Sequence, residues 1–130
     1  MLLTIVLMML SLNNNQLQVV VRNIEVGEGN IVIEIYNNED NFLNKPIATR
    51  TVKATNESLN FNFDLPNGAY AVSVFQDRNQ NKKCDKNWFS IPTEPYGLSN
   101  NFRPSFSKPK FNDCKFTLLN QRTETVYLEE

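Results

Sequence analysis

Hydrophobic and polar residues alternate with a period of two over most of the chain beyond its N-terminal stretch. Ile31, Ile33 and Ile35 form the clearest run, and Phe61 and Phe63 repeat the pattern among asparagines. A period of two is typical of strands with one buried face, whereas a helix would repeat about every 3.6 residues. The predicted strands are Leu17–Ile24, Ile31–Tyr36, Ile47–Ala54, Leu59–Phe63, Ala69–Gln76, Cys114–Leu118 and Thr123–Leu128. Turns rich in Asn, Gly and Pro separate them, so the pattern predicts an all-β fold, a small antiparallel β-sandwich of about seven strands.

The segment from Trp88 to Asn112 does not follow this alternation and carries four of the six prolines. A loop of this length in a compact domain is usually functional or disordered. Order is favoured by five of its aromatic residues, which are Trp88, Phe89, Tyr96, Phe102 and Phe106. We therefore predict one long ordered loop packed over the sheet, and we expect no helix of ordinary length in the chain.

The chain has 130 residues, of which 41% are hydrophobic, enough for one buried core but not two. We therefore assign residues 16–130 to a single β-sandwich domain. Residues 1–15 begin with MLLTIVLMMLSL, an apolar run shorter than the roughly 20 residues that span a bilayer. Such a run is typical of a secretory signal peptide, although no Lys or Arg precedes it and no clear cleavage site follows. We expect a secreted, periplasmic or cell-surface protein without a membrane span in the mature chain; the alternative is a cytosolic protein with an apolar first strand.

The composition excludes several classes of function. The chain has no histidine, which removes Ser-His-Asp and Cys-His nucleophile systems and ordinary histidine-containing zinc sites. Two cysteines cannot form a four-thiolate zinc site. A formal net charge of -1 argues against nucleic acid or an anionic membrane surface as a partner, because neither polyanion gains much from a nearly neutral protein.

One segment carries a spacing typical of cation-binding loops. Asp77, Asn79, Asn81 and Asp85 stand at positions i, i+2, i+4 and i+8, the side-chain oxygen pattern with which a tight loop wraps Ca²⁺. Glu94 follows in a proline-bounded run that could bring its carboxylate to the same ion. Lys83 is one further position of the same loop. The candidate metal site therefore consists of Asp77, Asn79, Asn81, Lys83, Asp85 and Glu94. No other cofactor is predicted.

Other features of this loop oppose tight binding. Lys82 stands at the sixth position, which normally needs glycine for a sharp turn, and Trp88 stands at the twelfth, where a bidentate Glu would complete the shell. Formal charges from Asp77 to Lys86 sum to +2, so a divalent cation would enter against a positive field. We therefore expect an affinity no better than the roughly 10⁻⁴ to 10⁻³ M of weak extracellular sites. The alternative is that Asp77, with the two asparagines, forms Asx turns that close the bend by bonding to backbone N–H groups.

Three stretches of the chain resemble a family of bacterial proteins. They read LPNGAYAVSVFQDRNQN, CDKNWFSIPTEPYGLSNN and PSFSKPKFNDCKFTL, and they are similar to the uncharacterised secreted bacterial proteins grouped as domain of unknown function 2141. The similarity runs from about Leu17 to Leu128. It implies a small exported β-sandwich related in shape to transthyretin-like or prealbumin-like modules, with no established activity.

The chain departs from that family pattern at four positions. Lys82 and Ser90 stand where glycine is usual, Cys84 where a leucine-like residue is usual, and Cys114 where alanine is common. Two cysteines in an exported domain predict a disulfide bridge between Cys84 and Cys114, because an oxidising compartment lets such a bridge persist. The alternative is two separate buried thiols.

The same region offers a candidate surface for an extracellular or periplasmic ligand, formed by Trp88, Tyr96, Ser99 and Phe102. We therefore predict an exported, non-enzymatic β-sandwich module with a weak calcium-binding loop and an adjacent ligand-binding surface. The alternatives are a purely structural module whose aromatic residues plug one end of the sandwich, a sugar-binding or peptide-binding domain, and a hydrolase that uses Glu94 with Asp77 or Asp85 as its carboxylate pair.

Overall fold

The computed structural model describes residues 15–81, 93–105 and 107–130. Within these residues the chain forms eight strands, one short 3₁₀ turn and one short α-helix. In chain order they are β1 (Gln16–Arg22), β2 (Asn30–Tyr36), β3 (Ala48–Lys53), β4 (Leu59–Asp64), β5 (Gly68–Asp77), β6 (Tyr96–Leu98), the 3₁₀ turn (Ser99–Asn101), α1 (Phe111–Cys114), β7 (Phe116–Leu118) and β8 (Gln121–Tyr127). The predicted signal segment 1–15 lies outside the described residues except for Asn15.

The strands form two sheets. The smaller sheet has the order β4-β1-β8, and the larger sheet has the order β3-β2-β5-β6 with β7 also paired to β5. All pairs in the larger sheet are antiparallel, whereas β1 lies antiparallel to β4 and parallel to β8. The prediction of a wholly antiparallel sandwich is therefore wrong at β1 and β8, whose parallel pairing is made possible by the long chain that connects them.

The main core lies between the two sheets and is built by the alternating positions. Ile31, Ile33 and Ile35 are fully buried on the inner face of β2, and Phe61 and Phe63 are buried on β4. Burying one such side chain contributes roughly 1.5 to 3 kcal/mol, so these positions account for much of the stability of the sandwich. The all-β fold predicted from the alternation is confirmed.

A second, smaller core covers the outer face of the larger sheet, so the expectation of one core only is wrong. Tyr36 on β2 points away from the main core, and its ring lies 5.3 Å from that of Phe42 in an edge-to-face arrangement. Phe42 in turn meets Phe111 of α1 at 6.1 Å. Ala71, Leu98 and Cys114 complete this buried cluster. The chain after β6 is thus packed over the sheet by its aromatic residues, as the sequence predicted for that segment.

Two elements, one inside the predicted long loop and one across its end, were not expected from the sequence. β6 pairs with β5, and α1 is a single helical turn closed by the Lys115 N–H donating to the Phe111 carbonyl at 2.9 Å. Cys114 therefore belongs to α1, and the strand predicted to begin there begins at Phe116. In the described part of the chain, no helix has both the length and the apolar character that a bilayer crossing requires.

Candidate functional site

The candidate site begins where β5 ends. Asp77 is the last residue of β5 and is 1% exposed. The residue before it, Gln76, points to the opposite face and is fully buried. Its side-chain Nε2 donates to the carbonyls of Glu25 and Glu28 at 2.7 Å each, and its Oε1 accepts the Glu25 N–H at 3.0 Å. The Gln76 amide therefore anchors the turn between β1 and β2 beside the end of β5.

The chain bends after Asp77 through hydrogen bonds from side chains to the backbone. Asp77 Oδ1 and Asn79 Oδ1 both accept the N–H of Asn81, each at 3.2 Å. Gln80 has a φ of 57°, in the left-handed region, and its N–H donates to the Asp77 carbonyl at 3.4 Å. This is the Asx-turn arrangement that the sequence offered as an alternative. A carboxylate offers about four lone-pair positions, so the turn and a bound cation are compatible.

Glu94 reaches the same turn from a distant part of the chain. It is 5% exposed, and its Oε2 accepts the N–H of Arg78 at 2.7 Å. The neighbouring Pro95 carbonyl accepts the Gln76 N–H at 2.9 Å, which extends the pairing of β5 with β6. Because β6 runs antiparallel to β5, Glu94, which stands two residues before β6, arrives beside the end of β5. The structure thus brings Asp77 and Glu94 to one turn.

Arg78 carries a positive charge next to this turn, but its side chain is engaged elsewhere. Its guanidinium forms ion pairs with Glu130 and with Glu25, the latter at 2.9 Å. The hydrogen bond to Glu130, followed by that to Glu25, raises the pKa of Arg78 above its ordinary value. The positive field counted along the sequence from Asp77 to Lys86 is therefore reduced by two carboxylates that are remote in sequence.

The residues predicted to form a ligand surface are largely occupied by the fold. Ser99 is fully buried; its Oγ accepts the Val72 N–H at 2.9 Å and donates to the Cys114 carbonyl. Ser99 therefore links these elements inside the fold and is not part of a surface. Tyr96 is half-buried, and the Arg103 guanidinium lies 4.0 Å from the centre of its ring. Phe102, the other aromatic candidate that the structure describes, is half-buried against the second core.

The remaining predicted site residues lie outside the described residues, and they are Lys83, Cys84, Asp85 and Trp88. The departures from the family pattern at Lys82 and Ser90 lie outside them as well. For that reason, two statements stay predictions: that Asp85 shares a cation with Asp77, and that Cys84 forms a disulfide bridge. Cys114 is fully buried, and burial, followed by the charges of Asp113 and Glu39, raises the pKa of its thiol to about 12. Among the residues the structure describes, no three His, Cys, Asp or Glu side chains are grouped as a metal site would require.

Residues that the sequence did not single out also shape the site. Gly29 has a φ of +70°, and a Cβ on it would overlap the Asp77 carbonyl oxygen and lie 2.8 Å from the Arg78 Cα. The turn between β1 and β2 therefore approaches the end of β5 closely enough to require glycine. The role of Gln76 could have been predicted from the sequence. The alternation places its amide on the inward face of the strand, where the amide must find hydrogen-bond partners. The ion pairs of Arg78 join segments distant in sequence and gave no local signal.

Two sheets that enclose one core, with a hydrogen-bonded turn at the end of β5, define an all-β sandwich protein. Residues 19–126 match the family described as an uncharacterized protein conserved in bacteria (DUF2141), and the chain belongs to this family. The resemblance found in the sequence is confirmed. Comparisons with curated proteins and with solved structures gave no match.

Proposed function

We propose that this protein is an exported, non-enzymatic β-sandwich module that binds a calcium ion weakly at the turn after β5. The observation that carries the proposal is the meeting of Asp77 and Glu94 at one turn, although 17 positions separate them in the sequence. Export is inferred from the apolar run at the start of the chain, which is typical of a signal peptide.

The chemistry of this turn suits a hard cation. Asp77 and Glu94 supply carboxylates, and Asn79 and Asn81 supply amide oxygens, all of which are ligands that Ca²⁺ prefers. Two carboxylates at one turn attract a divalent cation more strongly than one carboxylate would. The Asx turn favours the same use, because it holds Asp77 and Asn79 in place before the ion arrives.

A non-enzymatic role fits the way the nearby polar groups are used. Glu94 Oε2 is engaged with the Arg78 backbone N–H, and the hydroxyl of Ser99 is engaged inside the fold. A carboxylate that works as an acid or base needs reach to a substrate proton. We therefore assign Glu94 to the structure of the turn and to cation binding, and we assign no catalytic role to either carboxylate.

The proposal is tested by following the melting temperature during a calcium titration. Anything that binds only the folded state stabilises it by mass action, so ~10 mM Ca²⁺ should raise the melting temperature of the parent protein. Asp77→Asn and Glu94→Gln remove a charge but keep an oxygen that can accept the same backbone N–H. Both variants should lose the calcium shift while the turn stays closed.

Asp40→Asn is the matched control, because it removes the same charge from an exposed turn distant in sequence from this site. It should keep the full calcium shift, and Mg²⁺ at equal ionic strength should give a smaller one. A parent melting curve unchanged by ~10 mM Ca²⁺ would refute cation binding at this turn. An equal loss of the shift in the Asp40→Asn variant would assign the effect to general charge screening.

A further inference from the structure

The outer face of the smaller sheet is mostly polar, and Val20 is a buried apolar residue on it. Alternation along β1 sends Leu17 and Val19 into the core, and it sends Gln16 and Gln18 to the opposite side. The same alternation on β4 and β8 adds further side chains to that side. We call this surface the amide face, and it comprises Gln16, Gln18, Asn60, Asn62, Gln121 and Thr123. It contrasts with the outer face of the larger sheet, which the second core covers.

The strand register places these side chains in rows across the sheet. Gln18 stands opposite Asn62 on β4 and opposite Thr123 on β8. Gln16 stands opposite Gln121 on β8. Neighbouring strands lie about 4.8 Å apart, so each row presents its hydrogen-bonding groups at regular intervals across roughly 10 Å.

A shallow depression lies on the amide face. Its volume is about 450 Å³, and Gln16, Gln18, Asn62, Gln121, Arg122 and Thr123 line it. This volume is in the range of small-molecule sites, which are usually lined by apolar side chains. Here the lining is polar, so the fitting ligand is one whose surface consists of hydrogen-bonding groups.

The side chains of the depression are held in place and nearly neutral as a group. Thr123 Oγ1 donates to Gln18 Oε1 at 3.2 Å, which orients the Gln18 amide with its N–H groups available for a further acceptor. The positive charge of Arg122 is compensated by Glu124 at 3.2 Å, and its guanidinium lies 5.0 Å from the centre of the Phe116 ring. Ordering these groups before a ligand binds lowers the entropy cost of binding.

We propose that the amide face binds a neutral oligosaccharide. Side-chain amides both donate and accept hydrogen bonds, as sugar hydroxyls do, so rows of amides match a hydroxyl-rich chain. Alternation also places Asp64, which accepts a hydrogen bond from Gln16 at 3.3 Å, and Arg22 on this side. Their charges are opposite, so the face offers little attraction to nucleic acid or to another polyanion. Tyr127 lies on the same side of β8 as Thr123. The two residues are four positions apart, which is about 13 Å along the strand. Its ring is 43% exposed and can pack on a sugar ring, so the ligand spans several sugar units.

The test is affinity electrophoresis of the full chain in native gels that contain hydroxyethylcellulose, xylan, mannan or laminarin, with alginate as an anionic comparison. At least one neutral polymer should retard the protein.

The double variant Gln18→Ala/Asn62→Ala should weaken binding of the matching oligosaccharide by about tenfold or more in calorimetry, because two hydrogen-bonding groups are lost. Tyr127→Ala should weaken it as well. Asn56→Ala, which removes an exposed amide from the turn between β3 and β4, should bind as the parent does.

Several outcomes would overturn the proposal. They are the absence of retardation in every neutral gel, retardation by alginate alone, and unchanged binding by the double variant. A concentration-dependent dimer that the double variant abolishes would make a second copy of the chain the occupant instead. If the double variant does not fold, the side-chain amide signals of Gln18 and Asn62 in the parent's NMR spectrum decide: they must shift when the oligosaccharide is added. Asp77→Asn should bind the oligosaccharide normally, which separates this proposal from the one on calcium.

Discussion

Gln76 illustrates how one inward-facing polar residue organises the neighbourhood of the candidate site. A buried amide is costly unless its hydrogen-bonding groups are satisfied. Gln76 is fully buried, and its three bonds all go to the backbone of residues 25 and 28. These bonds hold the turn between β1 and β2 against the end of β5. The position of Asp77 therefore depends on a residue that points away from it.

The approach of that turn to Asp77 gives a prediction at the scale of single residues. Gly27 and Gly29 both have positive φ, so alanine at either position should cost on the order of 1 kcal/mol for the left-handed conformation. A Cβ on Gly27 would meet nothing within 4 Å, whereas one on Gly29 would overlap the Asp77 carbonyl. Gly29→Ala should therefore lower the free energy of unfolding in urea by at least ~1 kcal/mol more than Gly27→Ala does. Equal losses in the two variants would show that the backbones do not approach so closely.

At the scale of elements, the sequence predicts the long strands well and the short elements poorly. Each of the seven predicted segments overlaps an observed strand, because alternating apolar residues such as those of β2 mark a buried face directly. β6 has three residues and α1 has four, so neither is long enough to show a period. Both elements depend on contacts with other parts of the chain. β6 needs β5 as a hydrogen-bonding partner, and α1 packs its Phe111 against Phe42.

Ser99 connects three of these elements, and its removal is the prediction at this scale. Ser99→Ala should leave the Val72 N–H and the Cys114 carbonyl without their side-chain partner in a buried place. An unsatisfied buried group costs about 1 to 3 kcal/mol, so the free energy of unfolding should fall by that amount in urea denaturation. Ser58→Ala changes an exposed serine before β4 and should stay within about 0.5 kcal/mol of the parent. A Ser99→Ala loss no larger than this control would contradict the linking role.

At the scale of the whole molecule, the candidate site was predictable where its residues are local and unpredictable where they are not. The Asp77 spacing and the Asx-turn alternative are both visible in the sequence, and the structure shows the turn. The arrival of Glu94 was predicted only as a reach from a proline-bounded run. The neutralisation of Arg78 by Glu25 and Glu130 depends on segments about 50 residues away, which no local pattern reveals. The parallel pairing of β1 with β8 is non-local in the same way.

The cysteines give the prediction for the molecule as a whole. In the Cys84→Ser variant, Cys114 is the only thiol, and it is fully buried with a pKa raised to about 12. Only the thiolate reacts, and at pH 8 about one in ten thousand of these thiols is ionised. The native variant should therefore resist a thiol reagent, and one thiol should react once the chain is unfolded in denaturant. Rapid labelling of the native variant would contradict the buried position of Cys114.

The parent protein then tests the bridge predicted between Cys84 and Cys114. Two reactive thiols in the unfolded, unreduced monomer would show that Cys114 is an apolar filler of the second core. None would establish the bridge, which would close a loop of about 30 residues and contribute roughly 3 to 4 kcal/mol in the chain-entropy model. In that case a reductant should lower the melting temperature of the parent and leave that of Cys84→Ser unchanged.

The parallel pairing of β1 with β8 has a mechanical consequence. The pairing runs from Gln16 opposite Gln121 to Arg22 opposite Tyr127, so the chain enters the pair at one end and leaves it at the other. A pull applied at Gln16 and Tyr127 in opposite directions slides the two strands along each other. Their hydrogen bonds then carry the load together, whereas a pull across an antiparallel hairpin would open the bonds one at a time. We therefore expect this pair to withstand tension along the chain better than an antiparallel hairpin of the same length would.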